Sequence, residues 1–100
     1  MQEAFSLQPL SATVAFLEMV QQERVRQDEK WGVQDWPISV WCTILAEEFG
    51  EFAREVGEID CGREGNLERA VKELVETVAV AQSIYEQYLY KRLVEKRGGK

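Results

Sequence analysis

The stretch WCTILAEEFGEF, residues 41–52, threads carboxylates through an apolar helical repeat. Trp41, Ile44, Leu45, Phe49 and Phe52 crowd one helical segment with apolar side chains, while Glu47, Glu48 and Glu51 stand among them. Carried further, the seam runs through Cys42, Leu45, Phe49, Phe52, Val56 and Ile59, which predicts a helix over residues 38–56 or slightly beyond. VKELVETVAVAQ, residues 71–82, repeats the arrangement with Glu73 and Glu76. Leu67, Val71, Leu74, Val78, Ala81, Tyr85 and Tyr88 give that third helix its stripe, and Asn66 is placed to cap it. No Gly or Pro interrupts it before Gly98, so it either extends to about residue 97 or breaks into a shorter fourth helix near Tyr90. GEIDCGREGN, residues 57–66, reads as the loop between the two helices.

Upstream, a first helix is expected over residues 11–30, with Ser11 as N-cap after Pro9 and with Val14, Phe16, Leu17, Met19 and Val20 as apolar surface. Its second half, QQERVRQDEK, keeps only Val25 as an aliphatic residue and either faces water or lines a polar pocket. WGVQDWP, residues 31–37, ends it: Gly32 suits a helix C-terminus, and Pro37 disfavours helix at Trp36. The expectation is an all-α antiparallel bundle of three to four helices, one domain over residues 1–100, with residues 1–10 and 98–100 poorly ordered. Three long helices in so short a chain leave a bundle incomplete. A second copy is the economical way to finish it, as a homodimer or homotetramer.

Composition narrows the chemistry. A formal charge of −6 argues against a nucleic-acid polymer as partner, since phosphate binding needs a surplus of Lys and Arg on one face. No run reaches the about 18–20 apolar residues of a membrane span, and the N-terminus lacks the order of a signal peptide, so no membrane partner and a cytoplasmic location are expected. The absence of histidine removes His-based triads and general bases. Cys42 and Cys61 are too few for a structural zinc site; Cys42, on the seam, is expected in the core.

Carboxylate remains as the reactive group. At about 100° per residue, Glu48 lies about 60–70° from the seam centre and Glu51 about 60° further round. Glu73 and Glu76 hold a similar border position, whereas Glu47 points away. Two i, i+3 pairs facing each other across a helix interface gather four carboxylates, which repel unless a cation lies between them. Hard oxygen ligands suit Mg²⁺, with Mn²⁺ as a substitute. The bland alternative is a solvated acidic face, since Glu is a good helix former.

The order EEFGE at residues 47–51, then ELVE at residues 73–76, resembles the E-E-x-x-E and E-x-x-D signature of the MazG-like all-α nucleoside triphosphate pyrophosphohydrolases. ERVRQDEKWGVQ, residues 23–34, is similar to the segment that precedes the signature in small, phage-associated members. The resemblance covers about residues 23–83. It implies hydrolysis of a nucleoside triphosphate, ribo or deoxy, to monophosphate and pyrophosphate, in the service of clearing unwanted nucleotides. It implies Glu48, Glu51, Glu73 and Glu76 as metal ligands, with Glu48 or Glu51 orienting or deprotonating the attacking water. Glu76 stands where the family usually has Asp, one methylene shorter. For the substrate, Trp31 either stacks on a base or, with Trp36, only closes the helix turn and covers the core; Gln27, Lys30 and Gln34 are within reach of base, sugar or phosphate, and Arg54 and Lys72 are candidates either for phosphate or for surface ion pairs. Trp41, nearer the seam, is expected in the core. The rival expectation is a catalytically inactive helical module that binds nucleotide or a protein partner.

Overall fold

A computed structural model of the chain describes residues 9–63 and 66–98. Three long helical stretches carry them: α1 (Pro9–Trp31), α2 (Ile38–Asp60), and α3 (Leu67–Ile84), which runs through a π-helical turn (Tyr85–Leu89) into α4 (Tyr90–Gly98). No strand occurs among the described residues. Both expectations for the third helix are partly met, because the helix continues but changes register just before Tyr90. Of the ends expected to be ragged, Pro9, Leu10 and Gly98 are helical, and residues 1–8 and 99–100 lie outside the described residues.

Helix ends follow local chemistry. Gly32 closes α1 in the left-handed region at φ 67°, its N–H donating to the Asp28 carbonyl at 2.8 Å. Pro37 then stands extended at φ −59°, ψ 153°, and its carbonyl accepts from the N–H groups of Val40 and Trp41 to start α2. The expected loop over residues 57–66 shortens: α2 continues through Gly57 to Asp60 because half-buried Ile59 still has a core to face. Gly62 at φ 85° ends it, with Gly62 N–H on the Ile59 carbonyl and Arg63 N–H on the Glu58 carbonyl, the paired bonds of a Schellman motif. Two cap assignments need correction. Ser11 lies inside α1, since Pro9 and Leu10 are already helical, and Asn66 is in the α region and makes no side-chain cap bond.

α3 is the central element, packed against both α1 and α2. On one side Val75 and Ala79 meet Val20, flanked by Phe16 and Val78; on the other Val80 and Ile84 meet Trp41, flanked by Ile44, Leu45 and Tyr88. The seam of α2 is therefore rotated from the expected one. Trp41 and half-buried Leu45, Glu48, Phe52 and Ile59 face inward, while Cys42 is exposed, and so are Phe49 and Val56. Cys42 is thus not a core residue: the contact buries the larger indole next to it. α3 shows the same offset, with Leu67, Val71 and Tyr85 of its expected stripe about half exposed. The apolar stripes are wider than the faces this one chain covers. The accessible surface of 7445 Å² exceeds the about 5,800 Å² typical of a compact chain of 11.5 kDa, and the radius of gyration of 16.4 Å exceeds the about 13 Å typical of its length.

Candidate metal centre

Glu48 and Glu51 stand one turn apart on α2, Glu73 and Glu76 one turn apart on α3, and the packing of those helices brings all four together. One carboxylate oxygen from each lies within 4.8 Å of the others. Rotation of the α2 seam moves Glu48 from the border of the apolar face into it, so Glu48, Glu73 and Glu76 are half-buried and only Glu51 is exposed. Glu47 is exposed, as expected.

Glu48 Oε1 and Glu73 Oε1 are buried with no hydrogen-bond partner, one on each helix. Buried carboxylate oxygens are ordinarily satisfied, so each helix carries one that burial has left without a partner. Burial first, then the fields of Glu51, Glu76 and Glu73, push the Glu48 carboxyl up to about 7. Burial and the neighbouring Glu76 raise Glu73 as well. An all-oxygen donor set with an orphaned atom on each helix fits a hard divalent cation.

Cations stand at one side of the cluster. Lys72 Nζ donates to Glu76 Oε2 at 2.7 Å. Arg26 donates to both oxygens of Glu23, at 2.9 and 2.6 Å, and those bonds are the main reason the Glu23 carboxyl is held below its usual range. Its charge also acts on Glu48 and Glu76.

A cleft of about 170 Å³ opens beside Glu48 and Glu76, walled by Gln27, Trp31, Gln34, Trp41, Ile44 and Val80, with Glu23 and Arg26 at its edge. Gln27, Trp31 and Gln34 are thus brought to the carboxylates. Lys30 lies 4.9 Å over the Trp31 ring and lines neither cavity. Lys72 lines a second, larger groove between α1 and α3, about 910 Å³, which shares Glu23, Arg26 and Glu76 with the cleft. Arg54 is exposed on α2 and lines neither cavity.

Sequence reasoning missed the Glu23 and Arg26 pair and the place of Trp41 in the cleft wall. It also missed what secures the wall. Gln34 N–H donates to Gln87 Oε1 at 2.7 Å, and buried Arg24 joins Asp28 at 2.9 Å to Glu86 at 2.6 Å. Gln87 and Glu86 belong to the π-helical turn, whose changed register no periodicity argument reveals. Of the two alternatives for QQERVRQDEK, the polar pocket is the one observed for Glu23, Arg26 and Gln27. Comparison of the chain with protein-family profiles, curated proteins and solved structures finds no match.

Proposed function

We propose that the protein is a Mg²⁺-dependent nucleoside triphosphate pyrophosphohydrolase, the activity that the MazG-like resemblance of its acidic motifs implies. The observation that carries this reading is the convergence of Glu48, Glu51, Glu73 and Glu76, with an orphaned buried oxygen on each helix. These four side chains would hold the cation; when bound, it offsets charge developing on the leaving pyrophosphate and makes a coordinated water more acidic. Glu51, the exposed member, has room to orient the water and accept its proton. The water oxygen bonds to the α-phosphorus, and the bond from that phosphorus to the bridging oxygen of the leaving pyrophosphate breaks. Arg26 and Lys72, at the edge of the cluster, are placed to meet phosphate oxygens. Glu76, where the family usually has Asp, is ion-paired with Lys72.

The exposed apolar stripes support assembly. Phe49 is 57% exposed, Leu17 56% and Leu67 55%, far more than a single chain of this size needs to leave bare. A homo-oligomer that covers them completes the bundle.

The test is incubation of purified protein with Mg²⁺ and a panel of ribo- and deoxyribonucleoside triphosphates, with products separated by ion exchange. Monophosphate and pyrophosphate that disappear with chelator, and with Glu51→Gln or Glu73→Gln, are the expected result. Intact triphosphates throughout, from protein shown to be folded, would reject hydrolysis and leave a non-catalytic helical module.

A further inference from the structure

Every residue of α4 is exposed, and its packing is on the π-helical turn that leads into it. So short a helix gains little stability by itself and ordinarily draws it from a covered apolar face. At about 100° per residue, Leu89, Tyr90, Leu93 and Val94 share one face, with Lys91, Arg92, Glu95 and Lys96 opposite. Those four apolar side chains are each about half exposed. Of the chain's 12 basic and 18 acidic residues, α4 holds four and one, so it carries +3 and the rest of the chain −9. Two α4 helices therefore repel each other, as do two acidic bodies, while α4 of one copy is attracted to the body of another. An amphipathic, cationic helix of this kind fits an apolar groove in an acidic surface.

The groove between α1 and α3 is such a surface. Met19, Val71 and Val75 give it an apolar lining, and Glu23, Glu68 and Glu76 outnumber Arg26 and Lys72 among its charges. Along α3 it runs from Glu68 to Glu76, about 12 Å, the length that Leu89 to Arg97 spans. A chain cannot fill its own groove. No Gly or Pro falls between Glu76 and Arg97, α4 continues the direction of α3, and Tyr90 lies about 21 Å beyond Glu76 along the axis. We propose that α4 of one copy docks in the α1–α3 groove of a second copy, the two exchanging these helices about a two-fold axis perpendicular to α3. Such an axis sets the two α3 helices antiparallel and brings the end of α4 to the start of the other copy's α3. Arg97, one turn past Leu93 on the same face, then meets Glu68 of the partner subunit. Within the single chain neither Arg97 nor Glu68 has an ion pair among the described residues. The inference rests on the assembly proposed above and adds the segment that makes it and the seat that receives it. Glu23, Arg26 and Glu76 line both the groove and the cleft, so the docked helix becomes the groove-side wall of the acidic site.

Light scattering on the full-length, metal-free protein tests this without reference to turnover. Val71→Glu in the groove and Leu93→Glu on α4, both at positions about half exposed within one chain, are each expected to halve the mass of the native assembly while circular dichroism shows the helices kept. An equimolar mixture of the two variants at high concentration is expected to recover the larger mass, because a mixed pair holds one intact contact and each variant alone holds none. Arg97→Glu and Glu68→Arg should each raise the dissociation constant about tenfold, since a two-fold pair holds that contact twice, and the double variant should restore it. Loss of mass in only one of the two glutamate variants, or no recovery on mixing, would overturn the exchange. If both variants keep the native mass, the inference falls and assembly through the Phe49 stripe stands; a native protein of monomer mass removes both. A native monomer that sediments with phosphatidylglycerol vesicles, and whose Leu93→Glu variant does not, would give α4 to a lipid surface instead. Triphosphate hydrolysis is scored separately, so the failure of either reading is seen without the other.

Discussion

Replacing Glu48 by Gln in the metal-free protein should stabilise it at about pH 8 and leave it nearly unchanged at about pH 5. Burial, followed by the fields of Glu51, Glu76 and Glu73, raises the Glu48 carboxyl from 4.5 to about 7. A folded-state value above the unfolded one means that folding takes up a proton. The stability Glu48 contributes is therefore full below about 4.5 and is lost as pH rises through about 7. At about 1.4 kcal/mol per pKa unit the displacement corresponds to about 3 kcal/mol, which solvent screening of a half-buried group reduces to about 1–2 kcal/mol. Glutamine keeps the shape and has no charge to bury. In a chain of 100 residues that gain corresponds to a Tm higher by about 5–15 °C at about pH 8. Far-UV circular dichroism melts in chelator, at one fixed protein concentration, measure it. Mg²⁺ should then reverse the order, raising the Tm of the native protein more than that of the variant. Parallel loss of Tm with pH in both proteins, or a variant that melts lower at about pH 8, would refute the claim that Glu48 is held in a repulsive, desolvated cluster.

Other perturbations follow from particular positions. Gly50 sits inside α2 with nothing within 4 Å of an added Cβ, so Gly50→Ala should stabilise by about 1 kcal/mol; a loss in a denaturant titration would instead place Gly50 against a partner subunit. Gly62→Ala, at φ 85°, should cost about 1 kcal/mol in the same titration, and no loss would mean that the turn rearranges at no cost. Arg24→Met removes the link from α1 to the π-helical turn and should cost about 1–3 kcal/mol, read as a lower denaturant midpoint, and an unchanged midpoint would deny the link any weight. Phe49→Glu should lower the mass seen by light scattering while helicity is kept, since Phe49 is exposed within the single chain; an unchanged mass would exclude that stripe from the assembly.

Periodicity in the sequence was enough for the helices, their order, the Gly32 and Gly62 region as breaks, and the pairing of Glu48 with Glu51 and of Glu73 with Glu76 one turn apart, because helical spacing is a property of neighbours along the chain. A helix repeats the same geometry wherever it packs, so i, i+3 pairs remain pairs in any tertiary setting. Which side of each broad stripe faces inward is not such a property. Cys42 and Phe49 are as apolar in sequence as Trp41 and Leu45, and only contact with Val80 and Ile84 selects the second pair. That choice rotates α2, carries Glu48 into the interface, and leaves its Oε1 and the Trp41 Nε1 without partners. The gap of Gln34 from Gln87, and of Arg24 from Glu86, is likewise bridged only by folding, through a π-helical turn. The chain's own pattern thus determined which groups are available. Packing decided which of them are stripped of water, because burial depends on which faces meet and not on neighbours along the chain.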